Sequence, residues 1–328
     1  MLTYIARRLA LGLATLWVIS MAAFVIIKLP PGDFVSHYLA QVAQSGTNLS
    51  EREAAFLRSV YGLDKSWPAQ YVDWIGQVVQ GNFGLSLDWG RPVRDVIGER
   101  LPLTILVSLS AILLTWVLAL PIGVVSAVRQ NSAVDHLFTF LSFIGLAVPN
   151  FLLALVLMYL SFVYFNASVG GLFSPEYVRA DWSPEKILDL GKHLPLPAVV
   201  LALAGTAELV RVMRANLLDE LKQPYLTTAR AKGLGQWRAV LKYPVRIAIN
   251  PLVSSTGFLL PDIVSGTIIV SLIFSLPTIG PLLLQALLAQ DMFLAGAIVL
   301  MIGTLTVVGV LLSDLLLAWV DPRVRLYR

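Results

Sequence analysis

Between Leu9 and Ile27 the chain carries no Asp, Glu, Lys, Arg or His. The same holds for Leu101–Val128, Leu137–Pro175, Leu194–Ala207, Ile247–Pro261, Ile263–Gln290 and Met292–Ser313, the last continued by Leu315–Val320 beyond Asp314. A helix needs about 20 apolar residues to cross a hydrocarbon core of about 30 Å. A chain built of such runs folds by burying them in lipid. Charged residues make up only 13% of the sequence, about half the share usual in soluble domains. That excludes a soluble globular protein, a disordered chain and a nucleic-acid binder. Cysteine is absent, which excludes a disulfide scaffold, a thiolate metal site and a thiol nucleophile.

The pattern predicts an all-α integral membrane protein with six spans, near 9–28, 102–128, 137–165, 195–213, 252–275 and 292–319. Asn166–Pro175 reads as an exit loop, and Leu276–Gln290 as a re-entrant or interfacial segment. The first span, after Arg7 and Arg8, is longer than a signal-peptide core and has no clean small-residue cleavage site, so it is expected to stay uncleaved. With the N-terminus inside, 14 of the 24 Lys and Arg fall on the inner side, and most of the acids fall outside. This asymmetry puts both termini in the cytoplasm. The chain then divides into 1–100, a span plus an outer loop of about 70 residues, and 101–328, a five-span core. Within the outer loop, a capping-type Asn48-Leu49-Ser50-Glu51 introduces a helical patch over Glu51–Val60, followed by the aromatic stretch Trp67–Trp74.

The inner loop between the fourth and fifth spans has the most specific pattern. Tyr225–Lys232 is built of good helix formers with Pro224 at the first turn, and Gly233 supplies a left-handed stop. Gln236–Tyr243 is a second short helix closed by Pro244. The product is a glycine-jointed knob bearing Arg230, Lys232, Arg238 and Lys242, with Ala229 and Ala231 small enough for a close partner. The simpler alternative is a basic loop resting on lipid headgroups.

Thr227-Thr228-Ala229-Arg230-Ala231-Lys232-Gly233, with Asn250-Pro251 beyond it, resembles the cytoplasmic "EAA" loop of ABC-importer permeases. The wording is close to the oligopeptide/dipeptide/nickel branch. Tyr4-Ile5-Ala6-Arg7-Arg8, Pro31-Gly32-Asp33, Tyr61-Gly62-Leu63-Asp64, Gly81-Asn82-Phe83-Gly84, Glu99-Arg100-Leu101-Pro102, Phe274-Ser275-Leu276-Pro277 and Asp321-Pro322-Arg323 resemble that branch in order along the chain. The resemblance implies a type I ABC-importer permease fold in the bacterial inner membrane. It implies a second homologous permease, two cytoplasmic ATP-binding subunits and a periplasmic or lipid-anchored solute-binding protein as partners. Tyr225, Thr228, Ala229, Arg230, Lys232, Gly233 and Leu234 would form the ATPase-coupling helix. Three positions depart from the branch: Ser271 stands where Glu is frequent, Thr278 where Gly is usual, and Val310 where Asn is common. They leave the solute open among peptides, oligosaccharides, opines and nickel complexes, with peptides favoured.

The polar face of the fifth span, Ser254, Ser255, Asp262, Ser265 and Ser271, is the candidate translocation path; packing through small residues is the competing explanation. Asp262 could alternatively serve as the relay of a proton-coupled secondary transporter, or as a structural acid. Glu208 and Arg211, three apart, are expected to sit at the rim of the fourth span and to form an interfacial structural pair on one helix face. No phosphate-binding loop, metal-spaced histidine set or nucleophile elbow is present. No enzyme activity and no cofactor are expected in this chain; ATP and Mg would belong to partner subunits. A membrane anchor for a cytoplasmic complex, without transport, is the remaining alternative.

Overall fold

The computed structural model describes residues 2–44, 50–165, 170–253 and 268–320. Its elements are helices; among the described residues the only extended pairing is an isolated bridge between Leu85 and Pro92. The chain divides into two compact units. One holds Leu2–Thr104 and Thr278–Val307, the other Ile105–Pro277 and the chain from Val308.

In the first unit, α1 (Leu2–Lys28) is followed by the outer-loop helices α2 (Phe34–Gln44), α3 (Glu51–Val60) and α4 (Trp67–Val79). The helix over Glu51–Val60 forms as expected, and within the capping-type string the cap is Ser50. The Ser50 hydroxyl accepts from the Glu53 N–H, and the Glu53 carboxylate accepts from the Ser50 N–H at 2.7 Å. Phe34, Val35, Ala54 and Leu87 form a small core here. The outer helices are tied to α1 by aromatic contacts: Phe24 packs edge-on to Tyr71 at 5.5 Å, and the Tyr71 and Ser20 hydroxyls lie 2.8 Å apart.

The unit closes with α13 (Ile279–Leu288) and the first part of α14 (Met292–Val320). Close approach of α14 to α1 and to α4 depends on glycine. A Cβ at Gly12 would lie 2.6 Å from Val307 Cγ1, and one at Gly296 2.7 Å from the Trp74 ring. The short α13 cannot cross a membrane: 10 residues rise about 15 Å.

In the second unit, α5 (Val93–Val128, whose first turns belong to the other unit) leads through a tight turn to α6 (Ala133–Ala147), α7 (Asn150–Phe165), α8 (Pro184–His193) and the long α9 (Pro195–Glu220). Three short helices follow: α10 (Pro224–Ala231), α11 (Gln236–Lys242) and α12 (Pro244–Ala248). Helix α9 is the hub. Met213 and Leu217 are fully buried with Ala119, Val124 and Leu252. Gly123 lets α5 touch it, since a Cβ there would meet Met213 Cβ at 2.7 Å.

Among the described residues, four helical stretches are long and apolar enough to span: Ala6–Lys28, Val93–Val128, Pro195–Glu220 and Met292–Leu315. The third predicted span, 137–165, is not one straight crossing. It consists of α6 and α7, bent by 104° at Val148-Pro149. Pro149 has no N–H to donate and forces Val148 into extended backbone (φ −86°, ψ 119°), which ends α6. The fifth predicted span, 252–275, lies largely outside the described residues, so six crossings are not counted here.

Candidate functional site

The loop 221–248 folds as a rigid bracket. Gln223 in extended backbone and Pro224 at the first position open α10. Leu226 and Ala229 on α10 face Ala239 and Val240 on α11, and all four are buried. Gly233 has φ +81°, a backbone state that L side chains rarely adopt. Its N–H donates to the Arg230 carbonyl at 2.9 Å, and the Leu234 N–H reaches back to the Ala229 carbonyl at 3.3 Å. This paired closure is the common way of satisfying the last carbonyls of a helix. Gly235 then opens α11.

The fold separates the expected coupling residues into two sets. Thr228, Arg230, Lys232 and Gly233 are exposed. Ala229 is only 5% exposed, and Leu234 is half-buried against the same cluster. Ala229 is therefore small because α11 packs on it, not to admit an outside partner; Ala231 keeps that outward position. Tyr225 also turns inward. Its hydroxyl donates to the Glu220 carboxylate, and burial together with that carboxylate pushes the phenol pKa up. The outer surface gains two residues that the residue pattern left unassigned: Trp237 and Leu241, one turn apart on α11, are 45% and 56% exposed. The same bracket carries Arg230, Lys232 and Arg238, exposed and without an ion-pair partner among the described residues. No space beside Gly233 is filled: a Cβ there would meet nothing within 4 Å.

The bracket's root is braced from the neighbouring helices. Asp135, 1% exposed at the start of α6, receives Arg214 Nε and Nη2 at 2.7 Å each. It also accepts from the Asn131 N–H at 2.9 Å and from the Ser126 hydroxyl. One carboxylate thus ties the end of α5, the following turn, α6 and α9. Sequence reasoning missed this pair, although Ser132 three residues ahead of Asp135 was a readable cap signal.

Two family models cover the chain. Residues 1–110 match the N-terminal membrane component of binding-protein-dependent transport systems, and 119–326 match the inner membrane component of the same systems. The chain belongs to the binding-protein-dependent permease family. This permease is 37% identical to the oligopeptide transport system permease protein of Bacillus subtilis, over 99% of both chains. It is 32% identical to the dipeptide transport system permease protein of Lactococcus lactis, over 99% of this chain and 100% of that one. To the Escherichia coli protein of that description it is 31% identical, over 99% of both. The permease is an integral membrane protein.

The candidate path residues of the permease are mostly out of view. Ser254, Ser255, Asp262 and Ser265 lie outside the described residues, so neither a path nor a relay is tested there. Ser271 is described and fully buried. The expected Glu208–Arg211 pair is not made; both side chains are exposed, and neither has an ion-pair partner among the described residues. Just before α14, Asp291 is fully buried. Its carboxylate accepts from the Ser86 hydroxyl at 2.6 Å, from the Leu87 and Asp88 N–H groups at 2.8 and 3.2 Å, and from the Leu294 N–H at 3.1 Å. Burial pushes its pKa up, and these hydrogen bonds offset that only in part. The result is a latch from the outer loop to the first turn of α14. A helix N-terminus favours an anion in that place.

Proposed function

We propose that this chain is the membrane-spanning subunit of an ATP-driven ABC importer. In this reading it sits in the bacterial inner membrane with both termini cytoplasmic and works beside a second homologous permease. Two ATP-binding subunits seat below on the α10–α11 bracket, and a periplasmic or lipid-anchored binding protein delivers the solute. Peptides are the favoured solute, in keeping with the oligopeptide and dipeptide systems of its relatives. ATP and Mg act in the partner subunits, and this chain supplies lever and path.

The observation that carries the proposal is the bracket's outer face. A rigid knob with its own core presents Trp237 and Leu241 and carries three cations unpaired among the described residues. Aromatic anchors flanked by Arg are what a protein groove takes up. ATP-driven closure would draw two such knobs together and swing the helices above. A near-complete switch between two states needs a bias of about 5.5 kcal/mol.

The test is Ala231→Trp. An indole at this exposed helical position of α10 blocks a seated subunit, whereas the buried core of the bracket and its Gly233 turn are untouched. Membrane insertion and complex expression should persist while solute-stimulated ATP hydrolysis and uptake are lost. Unchanged coupling with normal uptake would refute the assignment.

A further inference from the structure

Helix α9 is covered on most of its circumference within its own unit. Leu209, Val210, Met213 and Leu217 join the core shared with α5. Ala207 meets Gly145 on α6, where a Cβ would lie 3.1 Å away, and the Ala202 carbonyl accepts from Thr115 of α5 at 3.3 Å. The remaining side is different. Ala204, Glu208, Arg211, Ala215 and Asp219 fall within about 80° of arc at 3.6 residues per turn. The last four are exposed. Glu208 is thirteen residues from Pro195, about 20 Å along the axis at 1.5 Å per residue, and so lies deep in a candidate span.

A carboxylate and a guanidinium at that depth do not face hydrocarbon. The unit pairs such charges where it uses them to hold helices together, as Arg214 with Asp135 shows three residues further on. Glu208 and Arg211 are within i,i+3 reach, yet they do not pair with each other. Opposite charges in a dry interface would be driven together; charges already solvated need no partner. The stripe also runs without interruption to water, because Asp219 at its inner end is 79% exposed beside Lys222 at 75%. The flanking Ala204 and Ala215 keep it shallow.

We propose that the Glu208–Arg211 face of α9 lines the water-filled path through which a polar solute reaches the cytoplasm. The proposal rests on the transport reading above and gives it a second set of path residues, on the helix that leads into the bracket. Movement of the bracket would then act on the path through one continuous helix.

Because the chain contains no cysteine, single introduced thiols report without background. Glu208→Cys and Arg211→Cys are compared with Leu113→Cys, an exposed apolar position on α5, and Met213→Cys, a buried one. Each is made in the assembled transporter in nanodiscs. The probe is a membrane-impermeant methanethiosulfonate ethyltrimethylammonium reagent, and modification is read as a mass shift on this chain. Labelling is followed without nucleotide and with ATP and vanadate. The expected result is a rate at Glu208→Cys or Arg211→Cys at least ten-fold above both controls in one of the two states. Rates no higher than the controls in both states overturn the proposal, as does cross-linking of either thiol to the companion permease without reagent labelling. Fast labelling that ignores nucleotide supports the water-lined face and counts instead against the ATP-driven reading, so the two failures are distinguishable. If one cysteine variant does not assemble, the other carries the same comparison.

Discussion

Replacing Asp135 by Asn tests what holds the end of α5, the start of α6 and α9 together. The carboxylate is 1% exposed and meets donors from three directions: Arg214 twice at 2.7 Å, the Asn131 N–H at 2.9 Å and the Ser126 hydroxyl. An amide of the same shape keeps one acceptor oxygen. It turns its NH2 toward donors on the other side, and it leaves the Arg214 guanidinium without a counter-charge. Breaking a buried ion pair from one side costs about 3–5 kcal/mol. The Arg214 side chain is 27% exposed, so water recovers part of its solvation and the loss sits near 3 kcal/mol by the same measure. For a unit of about 200 residues, roughly 2–4 °C of midpoint is lost per kcal/mol, so the melting temperature should fall by about 6–12 °C. The assay is thermal unfolding of the assembled transporter in nanodiscs at a fixed scan rate. Asp135→Asn/Arg214→Met, which removes both charges, should recover part of the loss, and the two single changes should therefore be non-additive by about 1 kcal/mol or more. An Asp135→Asn protein melting within about 1 °C of the parent, or strict additivity in the cycle, would refute the reasoning.

Gly123→Ala should destabilise by about 1–3 kcal/mol, because its Cβ would meet Met213 Cβ at 2.7 Å and the Val210 carbonyl at 3.2 Å. Gly145→Ala, with a 3.1 Å approach to another methyl, should cost less, and the ranking is read by the same melting assay. In the outer loop, burial pushes the Asp33 carboxyl up, but hydrogen bonds from Arg58 and Ser36 outweigh it and hold the pKa below the ordinary 3.8. Its contribution is therefore fully present above that ordinary value and lost as pH falls through the lowered one. Protease cleavage within 50–60 should rise below about pH 4, and Asp33→Asn should already show that rise at neutral pH.

Much of this protein is legible along the chain because lipid and backbone impose local rules. A charge-free run of about 20 residues has one stable form in a bilayer, so α1, α5 and α14 were readable from composition alone, whereas α9, interrupted by Glu208 and Arg211, was readable only with those two placed at the rim. Glu51–Val60 and Tyr225–Lys232 were readable because helix ends are written in caps, prolines and glycines within a few residues. Gly233 at φ +81° fills the role that its position required. The bend at Pro149 was present in the letters but was hidden by apolarity continuous on both sides.

What tertiary structure decided are the relations between distant residues. Ser86 and Asp291 are separated by 205 positions and meet in one buried hydrogen bond. Asp135 and Arg214 are 79 apart and form the brace. Glu208 and Arg211 looked like a pair from spacing alone and are left apart, while Ala229, which looked like an outward contact, is buried by α11. Sequence spacing fixes which residues share a helix face, since that depends on a backbone repeat of a few residues. Whether that face meets a neighbour, a counter-charge or water depends on how helices pack, and only the folded chain settles it.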